Sequence, residues 1–287
     1  MKVHAFKVAK TNSSIELENI LSLIEQEANL RERIRIINQA ELRAETVEQR
    51  DGCWYLDFVR IRTDHGPGRV SRDAEVEGFD FDEEEGFGEE TAALYCPDTG
   101  YILVQYNHFG VRSGMIADYL SAFDRTERNL YTFKPKYDDD VERRLINQGI
   151  TRKVTFTLDI SKMSAQDRRR GQALSEAIEY GRESGADKIK VQISVSGERR
   201  RGLADKAREG VSSLLGILGQ NPDAVTKLEV AGKEDRDAVT EVLDLIGHRL
   251  SVEFSDLDVG DDLRYPREER WRALLRAKNG WSGILTP

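Results

Sequence analysis

The 287-residue sequence contains only two cysteines and six prolines, and it lacks a long apolar run. Cys53 and Cys96 are far from any Cys-x-x-Cys pair, so neither a disulfide framework nor a zinc cluster is indicated, and we expect both thiols to be reduced and half-buried. No stretch approaches the length of a membrane-spanning helix, and the N-terminal MKVHAFKVAK lacks the apolar core of a signal peptide. We therefore expect a cytoplasmic protein with no direct membrane insertion.

Familiar catalytic signatures are also missing. The sequence has no G-x-x-x-x-G-K-[ST], G-x-G-x-x-G, G-x-S-x-G or H-E-x-x-H, and its four histidines are isolated from one another. The segments Asp159–Lys162 and Asp187–Lys190 come closest to the carboxylate-lysine pattern of metal-dependent nucleases, and neither fits it. We expect no cofactor, no metal ligand and no catalytic residue. A nuclease whose ligands assemble from distant segments remains an alternative.

Charge is abundant but unevenly distributed. Charged residues make up 33% of the chain and the formal net charge is -9. Residues 73–98 contain eleven acids and no Lys or Arg, whereas residues 151–209 contain 14 Lys and Arg against 9 Asp and Glu. Charge asymmetry of this kind indicates separate surfaces. We interpret residues 73–98 as a solvated loop that mimics nucleic acid or covers a basic surface.

The order of periodic segments predicts an α+β fold with two lobes. Residues 1–125 have the pattern of a mainly antiparallel sheet with two helices, including a hairpin that turns at Asp51-Gly52. Residues 126–152 form a polar connection. In residues 153–287 strands and helices alternate, which predicts an α/β or α+β lobe and leaves parallel and mixed pairing open. A helix is expected around Val239–Ile246.

Three basic clusters fall in the second half of the chain. The first is early in an expected helix, where the helix dipole disfavours cations, and the second lies between a strand and a helix, where free backbone N–H groups and guanidinium groups can face one anion. The third belongs to the last helix. Each cluster alone is typical of a solvated face, but together they indicate a phosphate-binding surface. The candidate nucleic-acid-binding residues are Arg168, Arg169, Arg170, Arg199, Arg200, Arg201, Lys206, Arg267 and Arg270.

The first 125 residues also carry a resemblance. An acidic Gly-Phe-Gly-Glu-Glu insertion is followed by a strand with the sequence Tyr101-Ile-Leu-Val-Gln-Tyr-Asn-His-Phe-Gly110 and then by a helix that contains Asp118-Tyr119-Leu120. This order of elements resembles the N-terminal half of the RexA family of phage lambda exclusion proteins. The order is also similar to that of bacterial phage-defence proteins of the KwaB kind. The resemblance implies a two-lobed homodimer that binds duplex DNA with little sequence preference and acts in anti-phage defence.

The leading hypothesis is therefore a non-enzymatic, largely sequence-non-specific DNA-binding protein of a bacterial anti-phage defence type. Because the sequence has no helix-turn-helix, finger or aromatic RNA-binding signature, we expect contacts to the phosphate backbone of duplex DNA. One alternative is a metal-dependent nuclease effector. The other is a protein-protein interaction module, in which the acidic segment and the basic helices pair between subunits or with a second defence protein.

Overall fold

A computed structural model describes residues 1–11, 15–123, 130–163, 167–168, 174–195, 202–221, 224–235 and 237–287. These residues form two antiparallel sheets with helices, so the predicted α+β class is confirmed. The strands are β1 (Lys2–Thr11), β2 (Ile34–Ile37), β3 (Ala40–Arg50), β4 (Cys53–Arg62), β5 (Phe87–Cys96), β6 (Tyr101–Tyr106), β7 (Leu130–Pro135), β8 (Ile150–Asp159), β9 (Lys188–Ser194), β10 (Val225–Lys233), β11 (Glu241–Asp244) and β12 (Ser251–Glu253). The helices are α1 (Leu17–Gln26), α2 (Ser113–Ser121), α3 (Asp139–Asn147), α4 (Ser175–Glu183), α5 (Asp205–Gln220) and α6 (Arg267–Gly280).

The first sheet has the strand order β12-β1-β6-β5-β4-β3-β2, and β7 also pairs with β1. The predicted hairpin between β3 and β4 is confirmed. Asp51 and Gly52 adopt φ values of 48° and 76°, as the two central positions of a type I′ turn require. Gly52 takes this left-handed conformation at no steric cost, which explains why the turn falls there.

Apolar residues of the first sheet are buried on both of its faces. On one face, Ile20, Leu21 and Ile24 of α1 pack with Phe58 and Tyr119, all fully buried, and the helical spacing in the sequence predicts this face of α1. On the other face, α6 contributes residues such as Trp271 and Leu274 to a separate cluster with Leu94 and Leu103. The first sheet is therefore the central layer of a helix-sheet-helix arrangement.

The second sheet has the order β11-β10-β8-β9, and every neighbouring pair is antiparallel. Phe156 and Leu158 of β8 pack against Leu214 and Leu218 of α5, so the helices cover one face of this sheet. α5 also contacts α2 and β7 of the first lobe. The opposite face of the sheet carries polar side chains.

Several expectations about the C-terminal part are wrong. The helix expected around Val239–Ile246 is absent from this part of the structure, and residues 241–244 form strand β11 instead. Alternate residues from this strand onward, Leu243 and Leu245, are buried, whereas Val239 and Val242 are exposed. β12 pairs with β1 and α6 packs on the first sheet, so the last residues do not belong to the second lobe. Within the expected connection, β7 is likewise part of the first sheet.

The two cysteines are also not as expected. Cys53 and Cys96 face each other at the ends of β4 and β5, with Cα atoms 4.5 Å apart, and they form a disulfide. Both are buried, at 4% and 3% exposure. The sequence separation of 43 residues hides this proximity, because it spans a long excursion between two paired strands. Lys278 of α6 lies above the bond, with Nζ 3.3 Å from Cys53 Sγ.

Candidate nucleic-acid interface

Arg267 and Arg270 of α6 both form ion pairs with Asp57 of β4. Arg270 is 2% exposed, and its Nη2 donates to Asp57 Oδ2 at 2.5 Å while its Nη1 lies 3.0 Å from Glu90 Oε2. Arg267 Nε donates to the same Asp57 oxygen at 3.2 Å. These ion pairs neutralise the buried Arg270 and hold α6 against β4 and β5, whereas the Arg267 side chain is 41% exposed and shares Asp57 with Arg270. The prediction that Arg270 contacts nucleic acid is therefore wrong, and that for Arg267 stays a prediction.

Asp57 is the centre of this ion cluster. Its carboxylate is fully buried on β4, and its pKa is raised to about 6. Burial is the largest cause of this rise; the charge of Arg270 lowers the pKa and the charge of Glu90 raises it. One residue before it, the carbonyl of Leu56 accepts a hydrogen bond of 3.0 Å from Trp271 Nε1. The cluster borders a cavity of about 170 Å³, yet its charges are paired with one another. We interpret it as the structural clamp of α6.

Of the other seven predicted residues, the structure describes two, Arg168 and Lys206. Arg168 is half-buried, and its Nη1 donates to the Met163 carbonyl at 3.1 Å. Lys206 is exposed in the first turn of α5. Arg169, Arg170, Arg199, Arg200 and Arg201 lie outside the described residues. The described chain on either side of residues 196–201 is anchored on β8, since Val195 N donates to Arg152 O at 3.0 Å and Leu203 N donates to Thr151 O at 2.7 Å.

The outer face of the second sheet carries lysines that the predicted site does not include. Side chains alternate along a strand, so the face opposite Val154, Phe156 and Leu158 receives the other residues of β8 and their partners. In this register Lys190 and Lys227 both lie opposite Thr157, on the two sides of β8. We call this surface the lysine face; it comprises Lys153, Lys188, Lys190 and Lys227.

The lysine face retains positive charge that its own carboxylates do not neutralise. Asp159 lies 3.8 Å from both Lys162 and Lys188, and Glu229 lies 2.8 Å from Lys227. Lys153 and Lys190 have no ion pair with any residue that the structure describes. The sequence Lys188-Ile-Lys-Val alternates lysine with apolar residues. This alternation alone predicts that the lysines lie on one face of the strand and the apolar residues on the other.

The acidic run of residues 73–98 is only partly the solvated loop that was expected, because residues 87–96 form strand β5 of the first sheet. We call the connection before that strand, residues 63–86, the anionic segment. Residues 63–86 connect β4 to β5 and are largely exposed, with one isolated bridge between Arg69 and Glu77. Phe79 and Phe81 stack with ring centroids 6.0 Å apart, and both rings meet Phe87 edge-on. The described ion pairs of this segment and of the adjoining part of β5 reach Arg31, Arg62, Arg264 and Arg270.

No group of three or more His, Cys, Asp and Glu residues suited to a metal ion occurs in the part of the chain that the structure describes. The same part contains no helix that is long and apolar enough to cross a membrane.

These observations define an α+β protein with two antiparallel sheets, one enclosed by helices and one with an exposed cationic face. Residues 5–264 match the family of unknown function DUF6731, and the chain belongs to that family. Curated proteins give no match. The resemblance to phage exclusion and defence proteins therefore remains a prediction.

Proposed function

We propose that this protein is a non-enzymatic DNA-binding protein and that the lysine face receives the phosphate backbone of the duplex. The observation that supports this most directly is the register of β8, β9 and β10, which presents four lysines on one open surface. Lysine is a flexible point charge that binds phosphate without reading bases. Backbone contacts of this kind give affinity with little sequence preference.

The biological setting is part of the same proposal. The strand and helix order of residues 1–125 resembles that of phage exclusion proteins, which supports a role in bacterial anti-phage defence, in the cytoplasm and as a homodimer. A second defence protein is a further partner under this proposal. The role in phage defence depends on the resemblance of the first lobe, and DNA binding depends on the lysine face. An experiment that finds no DNA binding would therefore not contradict the role in phage defence.

Salt dependence of DNA binding tests the proposal. We expect fluorescence polarisation with two unrelated 30-base-pair duplexes to give similar affinities, and log K to fall with log salt at a slope of about -3 to -4 for four phosphate contacts. A Lys153→Glu/Lys190→Glu variant is expected to weaken binding to both duplexes. The matched control is Arg272→Glu/Arg276→Glu on α6, which changes the net charge equally.

Three results would contradict the proposal: no binding at 50 mM salt, binding that ignores salt, or equal loss in both charge-reversed variants. The last result would assign the effect to net charge and not to the lysine face. Degradation of plasmid DNA with magnesium or manganese, abolished by EDTA, would instead support the nuclease alternative.

A second candidate function is supported by the exposed aromatic residues of the anionic segment. Phe79 and Phe81 are 48% and 43% exposed beside a run of acids at residues 82–85. Such a surface suits a basic protein partner with an apolar groove. The test is a Phe79→Ser/Phe81→Ser variant: loss of salt-sensitive binding to a purified second defence protein, with DNA affinity unchanged, would favour the interaction module.

A further inference from the structure

An apolar cavity of about 280 Å³ lies in the second lobe between α5 and the edge strand β9. Phe156 of β8, Ile193 of β9 and Leu214 of α5 form its walls, and Leu174 and Leu203 line it at the points where the described chain resumes. Ile193 is 38% exposed, so the cavity opens to solvent at the sheet edge. This groove is separate from the lysine face, because its lining belongs to the helix-covered side of the sheet.

Glycine at position 210 keeps the groove open. A Cβ atom at Gly210 would lie 3.4 Å from Leu174 Cδ2, so a longer side chain there extends into the space between α5 and Leu174. Ala207 lies one turn earlier on α5, and Ala204, the residue before the helix, also lines the groove. Three small residues at this spacing leave a volume that leucine side chains would otherwise fill.

Lys206 is the charged residue among the described residues that line the groove. It is exposed in the first turn of α5, so its ammonium group is at the mouth of the groove and stays hydrated. The described lining, an apolar interior with one cation at its opening, is complementary to a molecule with an apolar body and one anionic end.

We propose that this groove binds a small amphipathic carboxylate, with the hydrocarbon against Phe156, Ile193 and Leu214 and the carboxylate at Lys206 Nζ. A volume of 280 Å³ equals the liquid volume of roughly nine water molecules, which corresponds to an acid of about eight carbons. Each methylene that enters the groove is expected to tighten binding about fourfold until the groove is full.

Calorimetric titration of the full-length protein with octanoate, hexanoate and 1-octanol tests the ligand class. We expect one octanoate per chain, an affinity for octanoate about fifteenfold above that for hexanoate, and weaker binding of 1-octanol. Lys206→Gln is expected to reduce octanoate affinity several-fold and to leave 1-octanol unchanged, because only the carboxylate contacts the ammonium group.

Two glycine variants on α5 test the position of the ligand. Gly210→Leu is expected to fill the groove and lower octanoate affinity at least tenfold, whereas Gly216→Leu, at a position where an added Cβ meets nothing within 4 Å, is expected to leave it unchanged. The proposal is overturned if no saturable binding occurs, if 1-octanol binds as tightly as octanoate, or if both glycine variants behave alike. Should Gly210→Leu not fold, the Lys206→Gln comparison of octanoate with 1-octanol decides.

Discussion

The two sheets use basic side chains in opposite ways. On the first sheet, the cations of α6 are matched by carboxylates: Arg270 by Asp57 and Glu90, and Arg276 by Asp256 at 2.9 Å. On the second sheet, Lys153 and Lys190 have no carboxylate partner among the described residues. Clusters of equal charge in the sequence therefore have different roles, and burial beside an acid from a distant strand decides which role applies.

The difference follows from how each sheet is covered. Helices enclose both faces of the first sheet, so a cation there loses water and needs an ion pair or hydrogen bonds. The second sheet is covered on one face only, and its lysines remain hydrated and able to bind an external anion. Folding thus buries Arg270 of α6 in an ion cluster, while the lysine face stays accessible.

The largest expected effect tests the clamp of α6. Arg270→Met leaves the fully buried Asp57 with Arg267 as its remaining cation, and we expect a loss of about 3–5 kcal/mol in the free energy of unfolding. Urea denaturation at pH 7.5 measures it. Arg272→Met on the same helix, whose side chain is 61% exposed, is expected to change stability by less than about 0.5 kcal/mol.

A double variant sharpens this result. If the cost arises from an unpaired buried charge, Asp57→Leu/Arg270→Met restores most of the stability lost in Arg270→Met. Equal destabilisation by Arg270→Met and Arg272→Met would show that the two arginines do not differ, and the comparison between the sheets would fail.

The second prediction concerns the disulfide of the first sheet. It closes a loop across 43 residues that includes the anionic segment, and its reduction is expected to lower stability by about 2–4 kcal/mol. Denaturation with and without dithiothreitol measures the effect, with a Cys53→Ala/Cys96→Ala variant as the insensitive control. DNA affinity is expected to remain unchanged after reduction, because the lysine face lies on the other sheet. A wild-type protein indifferent to dithiothreitol would contradict the disulfide.

The third prediction uses the titration of Asp57. Its folded pKa, about 6, exceeds the ordinary value of 3.8, so the folded state binds the proton more tightly than the unfolded state. The resulting contribution to stability, about 3 kcal/mol, is fully present below pH 3.8 and is lost as the pH rises through 6. Urea denaturation between pH 3.5 and 8 is expected to show this decline in wild type relative to Asp57→Asn. Parallel profiles would contradict it.

The sequence predicted features that depend on neighbours along the chain. The Asp51-Gly52 turn and the apolar face of α1 follow from local backbone preference and helical spacing. Pairing of β12 with β1 joins Glu253 to Lys2 across most of the chain, and no local pattern indicates it. The same holds for the ion pair of Asp57 with Arg270, so the sequence could not predict that this arginine of α6 is paired inside the protein. The lysine face was within reach, because strand alternation alone separates Lys188 and Lys190 from Ile189.

The smallest expected effect tests whether α5 of the second lobe is less optimised than the helices of the first. Gly216 lies inside α5, and an added Cβ would meet nothing within 4 Å, so Gly216→Ala gains helix propensity without a clash. We expect stabilisation of about 0.5–1 kcal/mol in urea denaturation. Gly210→Ala is the control: its Cβ would contact Leu174 Cδ2 at 3.4 Å, so a smaller gain is expected. A loss of stability in Gly216→Ala would mean that this position is packed against something, and an equal gain at both positions would mean that the groove beside Gly210 has room to spare.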